Sequence, residues 1–442
     1  GAPSRKGPRR ARHAVQSGMA GPAFGDLETL LGPDLVAPYV GGRSLTSVPA
    51  TVGHLLGVDD GWRSRWLTLP DLAERYERVV LLLVDGLGYA RLKEQLASDD
   101  RGFAELLRFG GAKELGEPIT TVAPSTTCVA TTVLAANGAS PAETGFLGFT
   151  QLMPRLGLVA NMLFWQPAWG RGHGRGDLEA WGLSPEEALP TPTIYQVLSA
   201  AGVHSTTLHP ADLARSPLSR VQSAGARVDG YIGWVDMLAR LAAQLEEAAG
   251  RRGYTFAYFP DFDSLMHRDG PATPTYAPLL EAFAAGLLRT LEGLSPRARN
   301  GTLVLITADH GHHQVPAKEA AYLDELPDVT RHLAWREGGE PRHVYLYARA
   351  GEVEELLAAA RAALGARFRV LRGDEALAAG LYGDPAHLHP EAVQRVGDVV
   401  LLARGGASLW DKRADGAPRG MHGSLTADEM LVPLIALPLD AG

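Results

Sequence analysis

The stretch GTLVLITADHGHHQ, residues 301–314, begins as an apolar run and ends in Asp309 followed by three histidines, His310, His312 and His313. A short apolar run that breaks into glycine and polar residues reads as a strand buried on both faces, the kind found in parallel sheets. Two more runs have this form, VVLLLVDG at 79–86 and YTFAYFPD at 254–261. Between them and the first run lie MLARLAAQLEEAAG at 237–250 and LLEAFAAGLLRTLEGL at 279–294, with apolar residues at three-to-four spacing; the former closes on Gly250, as helices commonly do. Strand–helix–strand order over this length predicts an α/β fold, a central, mostly parallel sheet flanked by helices.

The 442 residues suffice for a large core, and 45% hydrophobic with 21% charged residues is ordinary for a globular chain. A net charge of −8 gives no overall attraction to nucleic acid or anionic lipid, so no nucleic-acid partner is expected. Basic residues gather in SRKGPRRARH, and residues 1–22 read as a disordered basic tail or an expression remnant, with Met19 a plausible natural start. The single cysteine, Cys128, excludes an internal disulfide and a cysteine-built zinc site. No apolar run approaches the roughly 20 residues of a membrane span. With no secretory pattern at the start, the expected location is cytoplasmic. Residues 23–342 and 406–442 form the expected main body. Within it, the Gly-, Trp- and Pro-rich stretch 150–185 is expected as a lid-like loop. Residues 343–405 carry a strand–helix–strand pattern expected to form a small α+β subdomain. The pattern is silent on oligomeric state.

Active sites of open α/β sheets gather at the carboxyl ends of the strands. Here those ends carry Asp85; Asp261, Asp263 and His267; and Asp309 with His310; the late segment RGMHGSL adds His422. Singly each is ordinary, since an aspartate after a strand often caps a helix. Together, aspartates and neutral imidazoles are good ligands for divalent zinc, and the set is large enough for two adjacent sites. Asp263 and His267, four apart, face the same way on a helical turn. In TTVAPSTTCVATT, Pro124, Ser125, Thr126 and Thr127 look like a helix start, either a plain cap or a place where N–H groups and the helix dipole favour a phosphate.

In this order, Asp85, the Pro-Ser-Thr-Thr turn, PDFDSLMHRDGP at 260–271, TADHGHH at 307–313 and MHGS before VPLI resemble the alkaline phosphatase superfamily. Within it they look most like the type I phosphodiesterase/nucleotide pyrophosphatase family, over roughly residues 75–440. The resemblance implies an alkaline-phosphatase-like catalytic core with two divalent metal ions, zinc on ligand grounds. Asp263, His267 and His422 would hold one. Asp85, Asp309, His310 and the nucleophile oxygen would hold the other. The family nucleophile lies three residues after the turn proline, which selects Thr127 over Thr126. The implied reaction is hydrolysis of a phosphate diester through a phosphothreonine, on a small-molecule phosphate ester or nucleotide. The alternatives are a phosphomonoesterase or phosphonate hydrolase with the same site, and a non-catalytic metal- or nucleotide-binding module. A sulfatase is disfavoured, because Val-Ala-Thr-Thr after Cys128 does not match the formylglycine motif. At Ala130 the chain departs from nucleotide-type members, which carry asparagine there. His312 and His313 read as loop residues or supports of a ligand carboxylate. Trp165 and Trp169 read as packing or as stacking surfaces for substrate, and Arg342 as a salt bridge at a strand start or a phosphate contact.

Overall fold

The three apolar runs become neighbouring strands of one sheet in the computed structural model, which describes residues 24–439 apart from 71, 99–101, 113, 171–173 and 415. The expected basic tail, 1–22, lies outside the described residues. The sheet has six strands: β1 (Arg78–Val84), β2 (His204–Pro210), β3 (Arg227–Tyr231), β4 (Gly253–Phe259), β5 (Thr302–Thr307) and β6 (Leu434–Pro438). Their order is β6-β5-β1-β4-β2-β3, and only β6 runs antiparallel, against β5. Every residue of β1 and β5 is buried, which is why both read as unbroken apolar runs rather than alternating ones. Leu81 of β1 pairs with Phe256 of β4 on one side and Leu305 of β5 on the other, so these three strands end at one edge.

The helices packed around this sheet include α1 (Thr127–Ala135), α2 (Gly233–Glu247), α3 (Asp261–Asp269) and α4 (Tyr276–Glu292). On α4 the buried Tyr276, Leu280, Phe283, Leu287 and Leu291 recur every three or four residues and join the core cluster around the sheet. No described helix is long and apolar enough to cross a membrane.

A second sheet of seven strands runs in the order Phe368–Arg372, Val399–Ala403, His343–Leu346, Gly338–Glu340, Thr150–Met153, Leu158–Asn161 and Gln166–Pro167. It corrects the lid-like loop expected at 150–185. Thr150–Met153 and Leu158–Asn161 form an antiparallel hairpin, with Gly157 at positive φ in the turn, and they extend the sheet built by the 343–405 segment. The short strands between glycines and prolines hid this role in the sequence. Trp165 is packing: it is fully buried, and its indole N–H donates to the Leu183 carbonyl at 2.9 Å.

Arg342 is a structural partner. Its Nε and Nη2 donate to the Glu429 carboxylate at 2.6 and 2.9 Å, both side chains being wholly buried. Glu429 also accepts from the Thr426 hydroxyl at 2.6 Å and the Ser424 N–H at 3.1 Å, so the pair ties the second sheet to the 422–429 loop. Burial acts to raise the Glu429 pKa, but the Arg342 charge and hydrogen bonds outweigh it and hold the carboxyl below its usual range. Arg342→Met, which leaves that charge buried and unpaired, should cost about 3–5 kcal/mol in urea unfolding. A loss below about 1 kcal/mol would contradict the pairing.

Candidate metal centre and nucleophile

The shared edge of β1, β4 and β5 gathers the site. Asp85 directly follows β1; its N–H donates to the Phe259 carbonyl at 2.8 Å, and its own carbonyl accepts from the Asp263 N–H at 3.1 Å. The ladder thus continues past the strands and sets the first turn of α3 beside Asp85. Asp309 and His310 follow β5. The loop after them is zipped to the segment before His422, because His313 and Gln314 pair antiparallel with Met421 and Gly420. Gly311 allows a close pass, since a Cβ there would lie 1.9 Å from the Asp428 carbonyl oxygen. The turn before α1 is stitched to the same place: the Ser125 hydroxyl donates to the Ser424 carbonyl at 2.7 Å and accepts from the Gly423 N–H at 3.0 Å. Thr126 caps α1 in extended conformation, and Thr127 is its first residue.

The first cluster is Asp85, Asp309 and His310, all buried. Each carboxylate has one oxygen held and one free. Asp309 Oδ1 accepts from the Gly86 and His310 N–H groups, both at 3.1 Å, while Oδ2 has no partner. Asp85 Oδ2 accepts from the Tyr258 hydroxyl, while Oδ1 has no partner. Both free oxygens lie 3.4 Å from His310 Nε2. His310 Nδ1 sits 3.0 Å from the Gly311 carbonyl, an acceptor only, so in the neutral ring the lone pair is on Nε2. Thr127 Oγ1 completes the group, 3.1 Å from His310 Nε2 and 3.4 Å from Asp85 Oδ2. Burial and the charges of Asp309 and Asp263 push the Asp85 carboxyl well above its ordinary pKa. Lone pairs facing one another in a dry site without a cationic side chain are the donor set a divalent cation fits.

Asp263, His267, His312 and His422 make the second cluster. Asp263 Oδ1 has three imidazole Nε2 atoms around it, at 2.8 Å from His312, 3.2 Å from His267 and 3.5 Å from His422. His267 and His422 repeat the arrangement of His310: their Nδ1 atoms lie 2.9 Å from the Gly420 and Ser125 carbonyls, respectively, which leaves Nε2 for the centre. Those two Nε2 atoms are 3.2 Å apart. Burial first, then the neighbouring His310, holds His422 well below the ordinary imidazole pKa, and burial pushes His312 down to about 4. Neutral rings are the form that binds metal. Burial acts to raise Asp263, but the charge of His267 and the hydrogen bonds from His267 and His312 outweigh it and hold the carboxyl well below its usual range.

All the residues that the motifs singled out as ligands or nucleophile meet here: Asp85, Thr127, Asp263, His267, Asp309, His310 and His422. Asp261 is not among them. His312 comes closer than a loop residue would, with its Nε2 on Asp263, whereas His313 turns outward onto Asp428 at 3.0 Å. The three-histidine cluster was visible in the sequence, but which ring faces inward depends on the 313–421 pairing. Tyr258 and Glu340 were missed. Tyr258 lies one residue before the end of β4 and looks like any aromatic of a buried strand. Glu340 sits in a strand of the second sheet, with Oε2 3.6 Å from His422 Nδ1 and Oε1 unpartnered, and nothing near it in sequence hints at the site. A cavity of about 440 Å³ opens beside Thr126, His267 and His422, and Trp169 lies on its wall.

The structure is similar to murine ectonucleotide pyrophosphatase/phosphodiesterase 5, with a TM-score of 0.59 and 18% identity over 80% of this chain and 87% of that one. An inactive variant of the same murine protein in complex with AMP matches at a TM-score of 0.58 and 18% identity, over 81% of this chain and 87% of that one. Phosphonoacetate hydrolase from Sinorhizobium meliloti, in complex with phosphonoformate, matches at 0.56 and 20% identity, over 82% and 90% of the two chains. Curated protein sequences give no match. The model of one sequence family matches residues 79–425, from β1 to the loop after His422, and so the chain belongs to the type I phosphodiesterase/nucleotide pyrophosphatase family.

Proposed function

We propose that the protein is a two-metal phosphodiesterase in which Thr127 is the nucleophile. Asp85, Asp309 and His310 would hold one divalent cation and Asp263, His267 and His422 the other. The observation that carries this reading is the pair of unpartnered carboxylate oxygens facing His310 Nε2, with Thr127 Oγ1 alongside. Cations bound there would supply Lewis-acid stabilisation of the attacking and leaving oxygens, and zinc suits the aspartate and imidazole donors.

The chain's own residues do the rest. Thr127 is the first residue of α1, where first-turn N–H groups lack helical acceptors and favour charge developing on a phosphoryl oxygen. Thr127 gives up its hydroxyl proton, the Oγ1–P bond forms as the ester P–O bond breaks, and the leaving oxygen takes up a proton and departs as the alcohol. Water then attacks phosphorus on the opposite face, breaks the Oγ1–P bond and releases the phosphorylated product. Tyr258, Gly86 and the carbonyls of Gly311, Gly420 and Ser125 orient the ligand side chains. His312 holds Asp263.

A diester is favoured because, among the described residues, none that lines the cavity is a lysine or arginine. The second negative charge of a phosphomonoester would find no partner there, whereas the organic group of a diester finds apolar surface. Similarity to phosphonoacetate hydrolase makes phosphonate hydrolysis the second reading.

On metal-loaded protein, bis-p-nitrophenyl phosphate should be turned over faster than p-nitrophenyl phosphate. Thr127→Ala should lower that rate at least ~10³-fold with metal content unchanged. A monoester preference would overturn the diester assignment, and near-normal rates in Thr127→Ala would overturn the nucleophile. The charge argument has its own check. In chelator-treated protein, Asp309→Asn relieves repulsion with Asp85 and should stabilise the fold by about 1–3 kcal/mol. The variant should also lose the rise in Tm that zinc gives the unsubstituted protein. A metal-free variant less stable than its parent would show that the acids are not in conflict.

A further inference from the structure

The cavity beside Thr126, His267 and His422 has walls of one consistent chemistry. Phe149, Trp169 and Trp410 supply aromatic surface. Apart from the two histidines, its ionisable lining side chains are acids: Glu337, Glu340 and Asp411. Asp411 is matched by Arg336, whose Nη1 lies 3.3 Å from it and whose guanidinium sits 4.7 Å from the centre of the Trp169 ring. An aromatic face and a carboxylate of the lining thus already hold one cation, that of Arg336, which is not itself a lining residue. Glu337 and Glu340 have no such match, since neither pairs with a lysine or arginine among the described residues. Glu340 is buried, and its Oε1 has no partner. A buried carboxyl oxygen without a partner is costly, and a ligand that brings a positive charge or N–H groups removes that cost.

We infer that this cavity receives an organic substituent of the phosphodiester and that the substituent carries an ammonium group, met by the faces of Trp410 and Phe149 and by the carboxylates of Glu340 and Glu337. The assignment rests on the phosphodiesterase reading and narrows its substrate class. A cation over tryptophan gains from the ring's negative face, and more so once desolvated. The same walls disfavour a pyrophosphate or polyphosphate group, which would lie against acids with no lysine or arginine among the described lining residues to hold it. Both a quaternary head group and a primary aminoalkyl group have the required charge. The quaternary group relies on the rings, and the primary amine adds hydrogen bonds to the carboxylates.

The test compares three p-nitrophenyl diesters on metal-loaded protein: the choline ester, the 2-aminoethyl ester, and the uncharged 3,3-dimethylbutyl ester that matches choline in shape. At least one cationic ester should exceed the uncharged one by ~tenfold in kcat/KM, mainly through KM. Glu337→Gln and Trp410→Ala should each shrink that ratio severalfold. Reading the ratio within each variant separates loss of recognition from a general loss of activity. Parity, or a lead for the uncharged ester, would overturn the ammonium assignment while leaving the phosphodiesterase standing. Turnover of bis-p-nitrophenyl phosphate with none of the three esters accepted would do the same. Silence on all four diesters would sink both readings. If the choline ester leads, the rings dominate, and if the aminoethyl ester leads, the carboxylates do; either supports the cavity's role.

Discussion

Two carboxylate oxygens without partners, each 3.4 Å from an imidazole nitrogen that carries a lone pair, are what the rest of the structure is arranged to hold. Left to itself such a group would open or admit water. It stays closed because every other polar atom of these side chains is occupied: Asp309 Oδ1 by two N–H groups, Asp85 Oδ2 by Tyr258, and His310 Nδ1 by Gly311. Those partners sit on or beside the buried strands β1, β4 and β5, whose packing resists the movement that would relieve the repulsion. The centre is unfavourable in electrostatic terms and rigid in mechanical ones, the usual condition of a site prepared for a cation.

The second cluster follows the same logic with different means. His267 lies on α3, while His422 is positioned by the two-residue ladder between 313–314 and 420–421 and by the Ser125 stitch. Its position thus depends on two chain segments about a hundred residues or more away in sequence. Removing either contact would leave the histidine in place in the sequence and absent from the site.

That distinction explains what was legible in the sequence. The main sheet could be read because its central strands are buried on both faces, and burial writes itself as an unbroken apolar run. Most of the candidate ligands could be read because they stand at a strand end or on one face of a short helix, where local order and spatial order coincide; His422 is read from the family motif instead. The second sheet could be read only in its 343–405 part, because it joins residues 150–167 to 338–403 through pairings such as Gly339 with Thr150. No local periodicity records a contact of that separation. Arg342 and Glu340 show the same limit two residues apart: one neutralises Glu429 beneath the loop, the other reaches the cavity beside His422, and nothing in GEPRH distinguishes them.

The two sheets thereby divide the labour. The edge of the main sheet, with the start of α1, gathers the two carboxylate–imidazole clusters and the Thr127 hydroxyl. Gly338–Glu340, and Thr150 with Phe149 just before it, supply part of the wall of the adjoining cavity. A substitution at Phe149, Trp169 or Trp410 changes that wall without removing any lone pair from the centre. The coupling between the halves runs through Arg342 and Glu429, because Glu429 also fixes Ser424 and Thr426 in the loop that carries His422. A buried ion pair is a costly way to fasten a sheet to a loop, and apolar packing could do it at less cost. What the pair adds is direction: the bidentate fork admits one orientation of the carboxylate, and that orientation fixes the loop relative to the wall.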